Sequence, residues 1–139
     1  MAEPEDFNAK IIREFRANTG KVGGPFEGAP ILLLHHRGAR TGKERVSPVV
    51  YQAVGDGFAV FGSKGGAPSH PDWYRNLLAH PDTDIEVGGD TVPVKARDLT
   101  GDERLPIWER QKELMPGFAE YEEKARGIRE IPVVLLERR

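Results

Sequence analysis

Residues Ile31 to Tyr51 read ILLLHHRGARTGKERVSPVVY, two strand-like apolar runs around a short connector loaded with positive charge. Ile31 to Leu34 is unbroken apolar sequence and Val46 to Val54 is rich in β-branched residues, so both predict strands with at least one well-buried face. The connector from Arg37 to Arg45 carries four cations against Glu44, a net +3 in a chain of net −2, which leaves −5 for the remainder. Gly38 and Gly42 supply backbone without Cβ, the usual requirement where main-chain N–H groups crowd around an anion. A locally basic loop on an acidic protein points to a small anionic ligand rather than to nucleic acid. On charge alone, a solvated hairpin kept basic for solubility explains the segment equally well.

Upstream of this stretch, Phe7, Ile11 and Phe15 recur at helical spacing behind Pro4, Glu5 and Asp6, which predicts a helix from about Glu5 to Ala17. Its polar face mixes Glu14 with Lys10 and Arg13, so docking on a core is expected ahead of lying on a membrane surface. Gly20 to Pro30 follows as an irregular bridge anchored by Phe26. Downstream, Gly55-Asp-Gly57 predicts a tight turn and Phe58 to Phe61 the returning strand of an antiparallel meander. That strand runs into Gly62-Ser-Lys-Gly-Gly-Ala-Pro68, a second glycine-rich segment with a cation.

Ser69 to Ala79 predicts a short helix, with Ser69 as cap and Pro71 in its first turn. Trp73, Asn76 and Leu77 share one face of it, although a lone Trp is ordinarily core. Asp84 to Val87 and Thr91 to Leu99 form a second hairpin, in which Pro93 suggests an edge or a bulge. Thr100 and Glu103 make a capping-box pattern, but Pro106 restricts the expected regular helix to about Ile107 to Met115. Pro116-Gly117 breaks it, Phe118 to Arg126 resumes a helical turn or two, and Ile131 to Leu136 closes the chain as a strand. Six strands with helices at the flanks and in the middle predict a small antiparallel barrel, mainly β in an α+β chain.

The 139 residues fit a single domain over 1–139, with residues 1–20 as its N-terminal helical part. No apolar run approaches the ~20 residues of a membrane span. Met1 to Asp6 lacks the pattern of a secretory signal, so a cytoplasmic location is expected. With no cysteine, thiolate catalysis and sulfur-ligated metals are excluded. His35 and His36 are adjacent and point oppositely on a strand, while His70 and His80 flank a helix, so no metal set is expected. What the residues leave is an anion site formed by Arg37, Arg40, Thr41, Lys43, Arg45, Ser63 and Lys64 beside aromatic groups from Trp73, Tyr51 and Tyr121. Redox chemistry there would have to come with an organic cofactor.

Three separated stretches carry a specific resemblance: residues 6 to 51, GSKGGAPSHPDWYRNL from Gly62, and PGFAEYEEKARGIREIPVVLLERR from Pro116. In that order they resemble the deazaflavin-dependent nitroreductases, or quinone reductases, of actinobacteria, over about residues 5 to 139. The resemblance implies a split β-barrel like that of FMN-binding proteins and the cofactor F420, a deazaflavin with a phosphodiester and an oligoglutamate tail. It implies that Arg40, Thr41, Arg45, Ser47 and Pro48 contact phosphate and tail, and that Ser63 and Lys64 line the deazaflavin and phosphate. Trp73 and Asn76 would border the cofactor, while Phe118 and Tyr121 would face the acceptor, with Tyr51 nearby. Tyr121 and Ser63 are the implied catalytic candidates.

Departures from the family pattern are Ala39 where a base is common, Ser47 where asparagine is frequent, and Phe118 in place of a tyrosine. The implied reaction is hydride transfer from reduced F420 to a quinone, with nitroaromatics as adventitious acceptors. An FMN-dependent oxidoreductase and a non-catalytic deazaflavin binder are the competing readings. Nucleic acid is not an expected partner. Monomer and homodimer, and peripheral contact of the N-terminal helix with the inner face of the membrane, stay open.

Overall fold

The computed structural model describes residues 7–23 and 28–139. Helix α1 (Phe7–Ala17) precedes strands β1 (Ile31–Arg37), β2 (Glu44–Val54) and β3 (Gly57–Phe61). A single 3-10 turn (Lys64–Gly66) and helix α2 (Asp72–Ala79) lead to the hairpin of β4 (Asp82–Val87) and β5 (Asp90–Leu99). Helices α3 (Gly101–Leu114) and α4 (Gly117–Ala125) then bring the chain to β6 (Val133–Arg138). The six strands close into an antiparallel barrel in the order β1-β2-β3-β6-β5-β4. The expected starting point of α1 at Glu5 and the anchor Phe26 lie outside the described residues.

Alternation on the strands sorts the apolar residues between two faces. Leu32, Leu34, Phe58, Val60, Ile85, Val94, Val134 and Leu136 fill the barrel, and Trp73 and Leu77 of α2 join them. On the outside, Ile31 and Leu33 pack with Ile11 and Phe15 of α1, while Ala59, Phe61 and Val133 pack with Trp108 of α3 and Phe118 of α4. Both faces of β1 are thus buried, which is why its sequence is a continuous apolar run instead of an alternating one.

Four local expectations are corrected. Pro71, not Ser69, stands immediately before α2, and no side chain caps that helix. Helix α3 starts at Gly101 and carries Pro106 inside it, in the second turn, because the one main-chain bond the proline forfeits would have gone to the Asp102 carbonyl, in a first turn whose Gly101, Asp102 and Glu103 are exposed. Thr100 occupies the N-cap position there without making a side-chain cap. Pro93 is on neither an edge nor a bulge: β5 pairs with both β4 and β6. Its carbonyl accepts from Arg139 N–H at 3.0 Å, so its missing donor, which points the same way, falls just past the end of β6.

Candidate active site

Strands β1 and β2 are joined by the basic connector, which folds as a closed loop. Gly38 N–H donates to the Lys43 carbonyl at 2.9 Å and Gly42 N–H to the Gly38 carbonyl at 2.8 Å. Gly42 has φ +69°, and a Cβ on Gly38 would sit 2.6 Å from Thr41 Oγ1, so both positions need glycine. Lys43 N–H donates to Thr41 Oγ1 at 3.2 Å, and Ala39 N–H to Asn76 Oδ1 at 3.0 Å. Four amides of the loop are therefore already engaged. The expected main-chain anion cradle is corrected accordingly: this loop offers its ligand mainly side chains.

Those side chains converge with other elements on two neighbouring cavities. The first, about 440 Å³, is lined by Gly38, Ala39, Arg40, Thr41 and Arg45 of the loop and by Asp72, Arg75 and Asn76 of α2. The second, about 490 Å³, gathers Ala9 and Ile12 of α1, His36, Arg45 and Ser47 of the first hairpin, Lys64, and Asp72 and Trp73 at the start of α2. Arg45 borders both. Arg40, Lys43 and Arg45 are exposed and have no carboxylate partner among the described residues, whereas Arg37 pairs with Glu44 at 3.0 Å and Arg75 with Asp72 at 3.5 Å. Unpaired cations around a cleft keep their attraction for an incoming anion.

The second glycine-rich segment is positioned by a residue that sequence reasoning missed. Arg129, between α4 and β6, donates to the carbonyls of Gly62, Ser63 and Ala67 at 2.8 to 2.9 Å, and to His70 Nδ1 at 3.0 Å. Burial lowers the pKa of His70, and Arg129 beside it lowers it further. Within this bracket Lys64 adopts φ +47°, a left-handed conformation that costs a side-chain-bearing residue on the order of 1 kcal/mol. Helix α4 closes the other side: a Cβ on Gly66 would lie 2.9 Å from Lys124 Cβ and 3.1 Å from the Tyr121 carbonyl.

Of the residues expected at the site, Arg40, Thr41, Arg45, Ser47, Lys64, Trp73 and Asn76 line the two cavities. Pro48 pairs with Leu33 on the β1–β2 ladder, and Ser63 is buried directly before Lys64. Trp73 is largely buried, so it shows the cavity an edge of a core residue. Asn76 spends its amide inside the protein, on Ala39 N–H and on His36 Nδ1 at 2.8 Å. The aromatic trio does not form one group. Tyr51 packs edge-on against Phe58 inside the barrel, while Phe118 is buried between Phe61, Trp108 and Tyr121 on the outer side of the sheet. Tyr121, half-exposed, is next to the Lys64–Gly66 turn through its own helix backbone.

The site also contains a buried histidine. His36 is 5 % exposed, and its pKa is lowered to about 4, first by burial and then by Arg45, so it is neutral at pH 7. His35, one residue away, points out of the site and contacts Glu86 Oε2 at 2.7 Å. Glu86 also receives Arg16 of α1 on both oxygens, at 3.1 and 2.8 Å, which ties the helix beside the second cavity to the barrel.

This donor set suits a ligand with more than one anionic group and a flat apolar portion: the unpaired Arg40 and Arg45, the hydroxyls of Thr41 and Ser47, and Lys64 line two cavities, one of them bordered by Trp73. Residues 9–138 match the family model described as F420H(2)-dependent quinone reductase. An F420H(2)-dependent quinone reductase of Mycobacterium tuberculosis is 36% identical over 129 residues, covering 90% of this chain and 85% of the relative. A solved F420-H2 dependent reductase superposes with TM-score 0.70 at 38% identity over 78% of this chain and 94% of that one. HutZ of Vibrio cholerae, a heme storage protein, shares the fold at TM-score 0.59 with 17% identity, covering 92% of this chain and 87% of its own. A closed six-stranded barrel, a cationic double cavity and these matches together make the chain a member of the F420H(2)-dependent quinone reductase family.

Proposed function

We propose that this protein passes a hydride from reduced F420 to a small conjugated acceptor, a quinone first and nitroaromatics adventitiously. The observation that carries the reading is the convergence of Arg45, Ser47, Lys64 and Trp73, from separate parts of the chain, on one cavity that shares Arg45 with a second cationic one. When bound, the deazaflavin supplies the hydride; the protein supplies orientation, charge and exclusion of water. Arg40, Thr41 and Arg45 take the anionic tail, Ser47 and Lys64 the phosphodiester, and Trp73 borders the ring. Pro48 keeps the backbone beside Ser47 in register, and Ser63 fixes the turn that presents Lys64. Asn76 holds the basic loop against α2 through Ala39.

Tyr121, with Phe118 behind it, closes the acceptor side. Its phenol donates a proton, or a hydrogen bond, to the oxygen that becomes negative when hydride arrives. Tyr51 supports the site from inside the barrel. The chain works as one unit over 1–139 and in the cytoplasm; among the described residues no helix is long and apolar enough to cross a membrane. A homodimer is supported by a solved chain described as a domain-swapped dimer, 35% identical with TM-score 0.72 over 92% of each chain.

Fluorescence titration of F420 and FMN side by side tests the reading. F420 binds at least about tenfold more tightly, since FMN lacks the tail that the cavity of Arg40 and Thr41 would hold; each tenfold is ~1.4 kcal/mol. Comparable affinities would overturn the assignment of the two cavities. Reoxidation of reduced F420 on adding menadione then tests the reaction itself, and its absence would leave a binder without turnover.

A further inference from the structure

The residues around His36 form a chain of hydrogen bonds whose direction can be worked out from one fixed point. A backbone N–H can only donate, and Ala39 N–H lies 3.0 Å from Asn76 Oδ1. That contact settles the orientation of the Asn76 amide, so Nδ2 is the atom 2.8 Å from His36 Nδ1, and Nδ2 can only donate. His36 Nδ1 is therefore the acceptor. In a neutral ring the proton then sits on Nε2, which is 2.8 Å from Ser47 Oγ and must donate to it. The Ser47 hydroxyl, receiving from His36 and without another partner among the described residues, turns its own proton toward the cavity that it lines with Arg45 and Lys64.

We infer that Ala39, Asn76, His36 and Ser47 form a one-way hydrogen-bond relay that fixes the Ser47 hydroxyl as a donor to an anionic oxygen bound between Arg45 and Lys64. The ligand class is a phosphate-type oxyanion, and identifying it with the F420 phosphodiester rests on the function proposed above. His36 is a positioning residue in this scheme: it borders the cavity, but both its nitrogens are spent on Asn76 and Ser47, so it acts through Ser47. Its burial matters because an imidazolium could not accept from Asn76. The same relay couples loop to site, since the Ala39 amide that starts it also holds the basic connector against α2.

Two measurements test the relay. In the protein without ligand, long-range proton–nitrogen spectra of the histidine rings at pH 7 read the tautomer directly. A protonated Nε2 with a bare Nδ1 on His36 is expected; a proton on Nδ1, or a doubly protonated ring, would overturn the relay. The second is a double-mutant cycle on F420 affinity with His36→Phe and Ser47→Ala. Ser47→Ala weakens binding roughly tenfold or more, the usual size for a hydrogen bond to a charged group. His36→Phe weakens it severalfold in the wild-type background and has little further effect once Ser47 is alanine. Equal effects of His36→Phe in both backgrounds would mean that the ring only shapes the pocket, and would overturn the relay. If the wild type shows the Nε2 tautomer yet binds no F420, the cofactor reading falls while the fixed direction of the hydroxyl stands.

Discussion

Arg129 Nη2 donates to the Ser63 carbonyl at 2.8 Å, across 66 residues of sequence. The same guanidinium holds the Gly62 and Ala67 carbonyls, so one planar fork secures both ends of the turn that carries Lys64. A point charge cannot reproduce that fork. Arg129→Lys and Arg129→Gln should both release the turn, costing about 2 kcal/mol of stability for charge-assisted bonds lost in a half-buried setting. Thermal unfolding checks the stability, and hydrogen exchange over residues 62–67 checks the release. Protection equal to wild type in that segment would show that the turn holds itself.

Arg40 and Lys64 belong to different elements and line two neighbouring cavities that share Arg45. Alanine at either should weaken F420 binding by about 1.5 to 3 kcal/mol, the size of a charge-assisted hydrogen bond. Because both residues are exposed, the loss should shrink as salt rises. Affinities measured at two salt concentrations decide it; unchanged binding in both variants would remove the basic loop and the Lys64 turn from the site.

Under the proposed function the Tyr121 hydroxyl donates the proton, and water is a competent substitute. Tyr121→Phe should hold F420 affinity while lowering turnover with a quinone about tenfold, the modest end of general-acid effects. Steady-state kinetics with one quinone suffice. Wild-type turnover and Michaelis constant would confine the ring to packing on Phe118, 5.2 Å away between centroids.

The Glu86 carboxylate is held below its usual pKa, first by the hydrogen bond from Arg16 and then by that from His35, against some opposing burial. A depressed carboxylate stabilises the fold at pH values above its unfolded pKa, and that contribution disappears as pH falls through the folded value. The docking of α1 should therefore weaken in acid, below about pH 4. Glu86→Gln should remove this pH dependence and cost on the order of 1 kcal/mol at pH 7, kept small because Arg16 is half exposed. Unfolding curves from pH 3 to 7 for both proteins test this; parallel curves would mean that the Glu86 carboxylate does not help to hold α1.

Much of the barrel could be read from the chain, because strands buried on one or both faces write that burial into local apolar patterns. Ile31 to Leu34 and Val46 to Val54 were legible for that reason, and so was the shared face of Trp73, Asn76 and Leu77. The basic loop was legible as charge. Its wiring was not, since whether an amide is free depends on partners such as Asn76, 37 residues further on. His36 and Arg129 were missed for the same cause. His36 was weighed only as a metal ligand, and its meeting with Asn76 is set by how α2 packs on β1. Arg129 gives no periodic signal, and only the Gly127 turn before it, at φ +80°, hints that the chain doubles back toward the barrel. Pro106 misleads because the carbonyl its missing bond would have reached, that of Asp102, lies in an exposed first turn.

Strand β1 meets β2 over seven register pairs but meets β4 over only two, Leu33 with Glu86 and Leu34 with Ile85. The ring of strands is therefore fastened by a clasp, braced by Thr83 Oγ1 donating to the His35 carbonyl at 2.6 Å and by His35 on Glu86. This seam is the shortest in the ring, and β1 carries at its far end the loop that would grip the ligand. Filling that loop would thus tighten the seam from a distance.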